Sequence, residues 1–119
     1  MKIVVAGNRT YKNHQHVYDV LNSIVQKSDI ILHGGARGVD AVASTWARTH
    51  GIACQTVEAD WDKFGPAAGR LRNQQMALRA DALIAFWDGE SPGTGNMIRC
   101  MQLVQKPIFY AYHDAQEES

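Results

Sequence analysis

Three stretches of this chain carry residue types and spacings suited to binding an anion. HGGARGVD (33–40) sets Gly34, Gly35 and Gly38 beside Arg37 and Asp40. Glycine permits positive φ and lets a backbone approach a ligand closely. A helix starting at the far end of that turn offers unpaired N–H groups and the positive end of its dipole. Arg37 adds a forked donor for phosphate, and Asp40 an acceptor for a ribose hydroxyl. SPGTGN (91–96) repeats the pattern. Pro92 and Gly93 shape a turn, Ser91 and Thr94 offer hydroxyls, and the amides near Gly95 and Asn96 open a helix. Gly7, Asn8 and Arg9 form a third, shorter set. Each stretch also has a plain structural use, with the glycines as tight turns and Asp40 or Thr94 as helix caps. GxGxxG is absent, so the dinucleotide fingerprint is not matched.

A fourth segment, DWDKFGPAAGRLRNQQM (60–76), brings Asp60, Trp61, Asp62 and Phe64, then Arg70, Arg72 and Asn73. Loops of this length in compact domains tend to be functional or disordered, and the aromatics argue against disorder. Trp61 suits stacking on a base, and equally suits covering the sheet edge; Asp62 suits pairing with Arg70. Arg9, Arg37, Arg70 and Arg72 are four of the seven arginines, and all are expected near one crevice. A locally positive pocket on a neutral chain fits a small phosphorylated ligand. Phosphate is expected between GGARGVD and SPGTGN, with Arg37 and Arg72 as charged partners.

Other chemistries lack their patterns. The five histidines show no HExxH or similar spacing, so no metal site is expected. Ser44 and Thr45 lack a GxSxG setting. Cys54 and Cys100 have no CxxC partner and read as free thiols of a reducing cytosol. Met76, Met97 and Met101 read as core packing.

Short β-type runs at 2–6, 29–33, 53–57, 82–87 and 107–112 alternate with helical patterns. Several of these runs lack strict polar alternation, as strands covered on both faces do. Val17, Leu21, Ile24 and Val25 mark one helical face; Val39, Val42, Ala43, Trp46 and Ala47 mark a second. Further helices are expected over 69–79 and 95–105. Right-handed crossovers turn this series into an α/β, three-layer, Rossmann-like doubly wound parallel sheet, with order 3-2-1-4-5. Ligands of such sheets sit beyond the carboxyl ends of the strands, where the order reverses. The three glycine-rich turns converge there.

With 119 residues the chain is one domain, expected over 1–113, with a polar tail at 114–119. Lys plus Arg equals Asp plus Glu at 12 each, so the basic excess of a general nucleic-acid binder is missing. No apolar run reaches the roughly 18 residues of a membrane span, and no signal peptide opens the chain. Nucleic acid and membrane are therefore not expected as partners.

Together, HGGARGVDAVASTWARTHGI, ADWDKFGPAAGRLRNQQM and ADALIAFWDGESPGTGNMI resemble the YspA-related (YAcAr) branch of the SLOG superfamily. That superfamily shares a Rossmann-like fold with the Smf/DprA proteins and the LOG, lysine-decarboxylase-like enzymes. The resemblance runs from Lys2 to Tyr112. It implies binding of nucleotides or nucleotide-derived signals, occurrence in phages and mobile elements, and a homodimer. LOG enzymes release a base from a nucleoside 5′-monophosphate. Their pattern has an arginine, a methionine four residues on and an aspartate nine residues on, matched by Arg72, Met76 and Asp81. PGGxGTxxE follows, matched at Gly93 and Thr94 after a loop two residues longer. Gly95, Asn96 and Met97 stand where LOG enzymes carry a glutamate pair. Asparagine has no charge with which to stabilise an oxocarbenium-like ribose.

The first reading is a non-catalytic or weakly catalytic module binding a nucleotide-derived small molecule, without cofactor. A nucleoside-monophosphate N-glycosidase is the alternative, with Arg72 and a carboxylate among Asp40, Asp60, Asp62, Asp88 and Glu90. Third stands single-stranded DNA binding of the DprA kind, since GGARGVD resembles the DprA glycine motif. Apolar helix faces near Trp46 and Met101 are expected to be covered by a second copy.

Overall fold

The computed structural model describes residues 1–111. The proposed boundary at 113 and the tail at 114–119 lie outside them. Five parallel strands run β1 Lys2–Gly7, β2 Ile30–His33, β3 Ala53–Thr56, β4 Ala82–Phe86 and β5 Ile108–Tyr110. Their order is β3-β2-β1-β4-β5, the doubly wound arrangement expected, with the reversal between β1 and β4. Register pairs Gly7 with Phe86 and His33 with Thr56, so the strand ends that launch the functional turns lie side by side.

Alternate residues of the central strands enter two separate cores. Ile3, Val5, Ile31, Ile84 and Phe86 pack against α1 (His14–Ile24) and α2 (Val39–Thr49). Val4, Leu32, Leu83 and Ala85 pack against α4 (Ala68–Arg79) and α5 (Pro92–Leu103). Burial on both faces explains why the strand runs read as continuously apolar. Between β3 and α4 lie a four-residue helix, α3 (Trp61–Phe64), and a 3₁₀ turn over Gly65–Ala67. The segment expected as a long loop is therefore mostly helical.

Two corrections bear on function. α5 begins at Pro92, three residues before the expected start at Gly95, because proline is preorganised for the first helical position and lacks only an N–H the helix does not use. The second concerns Trp46 and Met101, which are 3% and 0% exposed within the single chain. Trp46 donates to Asn22 Oδ1 at 2.9 Å and stacks on His50. Neither residue leaves a face for a second copy to cover. No helix among the described residues is long and apolar enough to cross a membrane.

Candidate functional site

A cleft of about 680 Å³ opens beyond the carboxyl ends of β1 and β4. Its lining comes from the ends of β1, β2 and β4, the first turn of α2, the middle of α4 and the N-terminal half of α5. Of the residues singled out in the sequence, Gly7, Asn8, Arg9, Gly34, Asp40, Arg72, Asn73, Gly93 and Thr94 line it. So do Asp88 and Glu90, together with Ala36, Met76, Ser91, Pro92 and Met97.

The β2–α2 turn is closed on its cleft side. Asp40 is 6% exposed and its Oδ2 accepts from Gly34 N–H at 3.0 Å and Ala36 N–H at 3.3 Å. Gly35 N–H donates to His33 Nδ1 at 3.0 Å, which leaves that ring nitrogen unprotonated. Gly38 has φ of +70° and lies against the Asn8–Arg9 backbone. Burial raises the Asp40 carboxyl above its usual 3.8, opposed by its bonds to Ala36 and Gly34 and by the charges of His33 and Arg72. His33 is lowered from 6.5, first by burial, with Asp40 pulling it up and Arg72 pushing it down.

Arg72 braces this turn. Nη1 donates to Gly34 O at 2.8 Å and Val57 O at 3.4 Å, and Nε donates to Asn73 Oδ1 at 3.0 Å. It ties α4 to the ends of β2 and β3. Buried Asn73 continues the link through Nδ2, which donates to Asn96 Oδ1 at 2.9 Å and Gly93 O at 3.4 Å.

The β4–α5 turn is open. Asp88 Oδ1 accepts from Glu90 N–H at 2.8 Å and Ser91 N–H at 3.0 Å. Those bonds, Glu90 first, hold the Asp88 carboxyl below 3.8, helped by the Asn8 side chain. Ser91 is the N-cap but makes no side-chain capping bond. Helical pairing begins with Gly95 N–H to Ser91 O at 3.0 Å, so the N–H groups of Gly93 and Thr94 have no partner among the described residues. Both residues line the cleft. Trp87 shapes this turn: its Nε1 donates to Ser91 O at 2.9 Å and its ring lies against Gly95. Sequence reasoning passed over Trp87, although it ends the apolar run at the edge where ligands of such sheets bind.

Other expected site residues fall elsewhere. Arg37 and Gly35 are exposed and off the cleft, and half-buried Gly38 is off it too, because the turn directs only Gly34 and Ala36 inward. Trp61 is 57% exposed and leans on Gly69 of α4. Asp60 caps α3 by accepting from Lys63 N–H at 3.1 Å, and Asp62 is exposed on α3. Gly95 packs on Trp87. Asn96 faces α4 and, with Arg70, lines a separate hollow between α4 and α5. The cleft is therefore not positive. Two guanidinium groups, Arg9 and Arg72, stand against the carboxyls of Asp40, Asp88 and Glu90. Among the described residues no three His, Cys, Asp or Glu side chains are placed to share a metal ion.

Comparison with known proteins follows the same lines. The family model described as "YspA, cpYpsA-related SLOG family" matches residues 1–64. Gene 61 protein of Mycobacterium phage D29 is 36% identical over 116 residues, covering 90% of this chain and 93% of that protein. Among solved structures, DNA processing protein A from Helicobacter pylori, described for its single-stranded DNA binding mode, superposes with a TM-score of 0.75. Identity is 20%, over 92% of this chain and 64% of that one, so this chain spans under two thirds of that protein. TM1055, a structural-genomics target, gives 0.72 at 20% identity, over 90% of this chain and 71% of that one. At such identities the likeness is one of fold.

Proposed function

Because the chain belongs to the YspA, cpYpsA-related SLOG family, we propose that it binds a nucleotide or nucleotide-derived small molecule in the cleft beyond β1 and β4. The observation that carries this reading is the pair of unpaired N–H groups, Gly93 and Thr94, at the start of α5. Two amides and a helix dipole suit one phosphate group. The Ser91 and Thr94 hydroxyls and Arg9 lie on the same cleft and complete its donors. Asp88 and Glu90 suit ribose hydroxyls. Arg72 and Asp40 support the binding wall by holding the β2–α2 turn.

In this reading AMP binds and persists, since Asn96 faces α4 and offers no charge to a departing base. A role in nucleotide signalling or phage–host conflict, in a reducing cytosol, is supported by the phage relative and the two free cysteines. The reading includes a homodimer, for which the exposed Leu78, Leu103, Phe109 and Tyr110 supply apolar surface; light scattering reads its mass.

The test is a thermal-shift screen with mononucleotides, ADP-ribose and cyclic nucleotides, followed by chromatography for free base. A ligand at about a hundred times its Kd contributes roughly 2.7 kcal/mol to apparent stability. Binding without release is the expected result. Steady release of base would reassign the cleft to an N-glycosidase using Asp40, Asp88 or Glu90. No shift by any ligand would remove the reading.

A second reading is single-stranded DNA binding. It runs against the expectation that nucleic acid is no partner, and is supported by the fold shared with DNA processing protein A. Half-exposed Trp61 and Phe64, flanking Lys63 on α3, are surfaces on which bases stack. Fluorescence anisotropy with a labelled oligothymidine at two salt concentrations decides it.

A further inference from the structure

Asn8 follows the last residue of β1, where strand order reverses, and lines the cleft. It is only 7% exposed. Its backbone carbonyl accepts from Tyr11 N–H at 3.3 Å and Val39 N–H at 3.4 Å, which anchors the residue. Its side chain contributes a hydrogen bond to the Asp88 carboxylate. A carboxylate only accepts, so the Nδ2 group faces Asp88 and Oδ1 must point elsewhere. That oxygen is shut off from water and accepts no hydrogen bond from the described residues. A buried acceptor without a donor is uncommon in native structures and carries a desolvation cost. Meeting a ligand requires the side chain to turn within the cleft wall, which Asn8 lines.

The other side-chain groups around the cleft divide by polarity. Asp40, Asp88 and Glu90 accept. Donors are supplied by Arg9, by the hydroxyls of Ser91 and Thr94 and by the amides of Gly93 and Thr94, while Arg72 spends Nη1 and Nε within the protein. A ligand whose anion sits on the α5 amides and Arg9 also meets the acceptors Asp40, Asp88 and Glu90 with its remaining polar groups.

We propose that Asn8 is a specificity-determining residue: its unpaired Oδ1 selects a ligand that brings a hydrogen-bond donor to the end of β1. The proposal rests on the reading of the cleft as a nucleotide site. Two groups of a nucleotide supply such a donor, the amino group of a base and the hydroxyls of the ribose. IMP replaces the amino group of AMP by an oxo group, and 2′-deoxy-AMP and 3′-deoxy-AMP each remove one hydroxyl.

Isothermal titration of these four compounds against the whole chain tests the proposal, with the same titrations on Asn8→Ala. The native protein should prefer AMP by about tenfold over at least one analogue, the scale of one satisfied buried hydrogen bond. Asn8→Ala should bring that ratio to within about twofold while Arg9 and the α5 amides still hold the phosphate. Whichever analogue loses affinity identifies the donor. Equal binding of all four by the native protein overturns the proposal and leaves the nucleotide reading standing. An unchanged ratio in a folded Asn8→Ala protein overturns it as well. Binding of none of the four removes the nucleotide reading and this proposal with it. If the alanine variant melts early, the same titrations on Asn8→Leu, which keeps the side-chain size and removes the acceptor, decide by the same ratio.

Discussion

The β2–α2 turn and the β4–α5 turn both leave a buried strand, both hold several glycines and both lead into a helix of the same cleft. They differ in what becomes of the amides that face it. In the first, Asp40 folds back and accepts from Gly34 and Ala36, so the turn is its own ligand. A carboxyl in that position also stands where an incoming phosphate would need positive potential. In the second, Asp88 serves Glu90 and Ser91 and stops there, leaving Gly93 and Thr94 unpaired. A glycine-rich turn before a helix is thus insufficient to define an anion site. The deciding feature is whether an acidic side chain within a few residues has already taken the amides.

The largest expected effect breaks the closed turn outright. A Cβ on Gly38 would lie 2.5 Å from Arg9 O and closer still to Asn8 O, at a φ of +70° that side chains rarely adopt. Neither obstacle is a flexible side chain. Gly38→Ala should cost about 4 kcal/mol or more, read as a lost or strongly lowered denaturation midpoint. Arg72→Ala comes next, since it removes the bonds to Gly34 O and Val57 O. A loss of about 1.5–3 kcal/mol is expected in urea melts. If Arg72 instead held the phosphate alone, affinity would fall with stability unchanged.

A smaller effect separates the turns by pH. The unfolded His33 takes up a proton near 6.5, whereas the folded one, buried and bonded to Gly35, does so only at lower pH. Its contribution is complete above 6.5 and is lost as pH falls from there through the folded value. Asp40 acts in the opposite sense, because its folded carboxyl keeps its proton above 3.8, so its contribution declines as pH rises from 3.8 through the folded value. Asp88 of the open turn is lowered instead, and its contribution fades only below 3.8. On acidification from pH 6.5 the loss at His33 and the gain at Asp40 oppose each other, so melting temperature should fall more steeply in Asp40→Asn, where the opposing group and its pull on His33 are gone. A flatter profile in Asp40→Asn would contradict this account of the closed turn.

The smallest effect on stability falls on the open turn. A Cβ on Gly93 meets nothing within 4 Å and its φ is not in the left-handed region. Gly93→Ala should leave stability within about 1 kcal/mol of the native protein, on the favourable side, as alanine usually does in a helix. The added methyl group stands beside the unpaired amides, so ligand affinity should fall while the melt does not. Equal losses in both would make Gly93 a fold residue and weaken the contrast.

The sheet was legible because both faces of each central strand are apolar, and the helices because Val17, Leu21, Val39 and Trp46 recur at helical spacing. Strand order followed from handedness and from the position of the glycine turns. Much of the cleft was legible for the same reason, since a doubly wound sheet brings Gly7, Gly34 and Gly93 to one edge. Amide bookkeeping was not. Nothing in the spacing of Asp40 says that its carboxyl turns back onto Gly34 and Ala36 instead of reaching outward. The start of α5 differs from the expected Gly95 because Pro92, preorganised for a first helical position, is a stronger N-terminal signal than Gly95 and Asn96. Arg37 is expected at the cleft from the place of its turn and Trp61 from its aromatic ring, but neither reveals which way a turn directs its side chains.

The central claim is that the ligand's anion rests on the amides of Gly93 and Thr94 and not on the β2–α2 turn. Backbone ¹⁵N–¹H spectra recorded while the highest-affinity phosphorylated ligand of the screen is titrated in test this residue by residue. The account predicts saturable downfield shifts of the Gly93 and Thr94 amide protons, with Gly34 and Ala36 shifting far less because Asp40 keeps them. Shifts centred on Gly34, Ala36 and Gly38, with Gly93 and Thr94 unmoved at saturation, would contradict it.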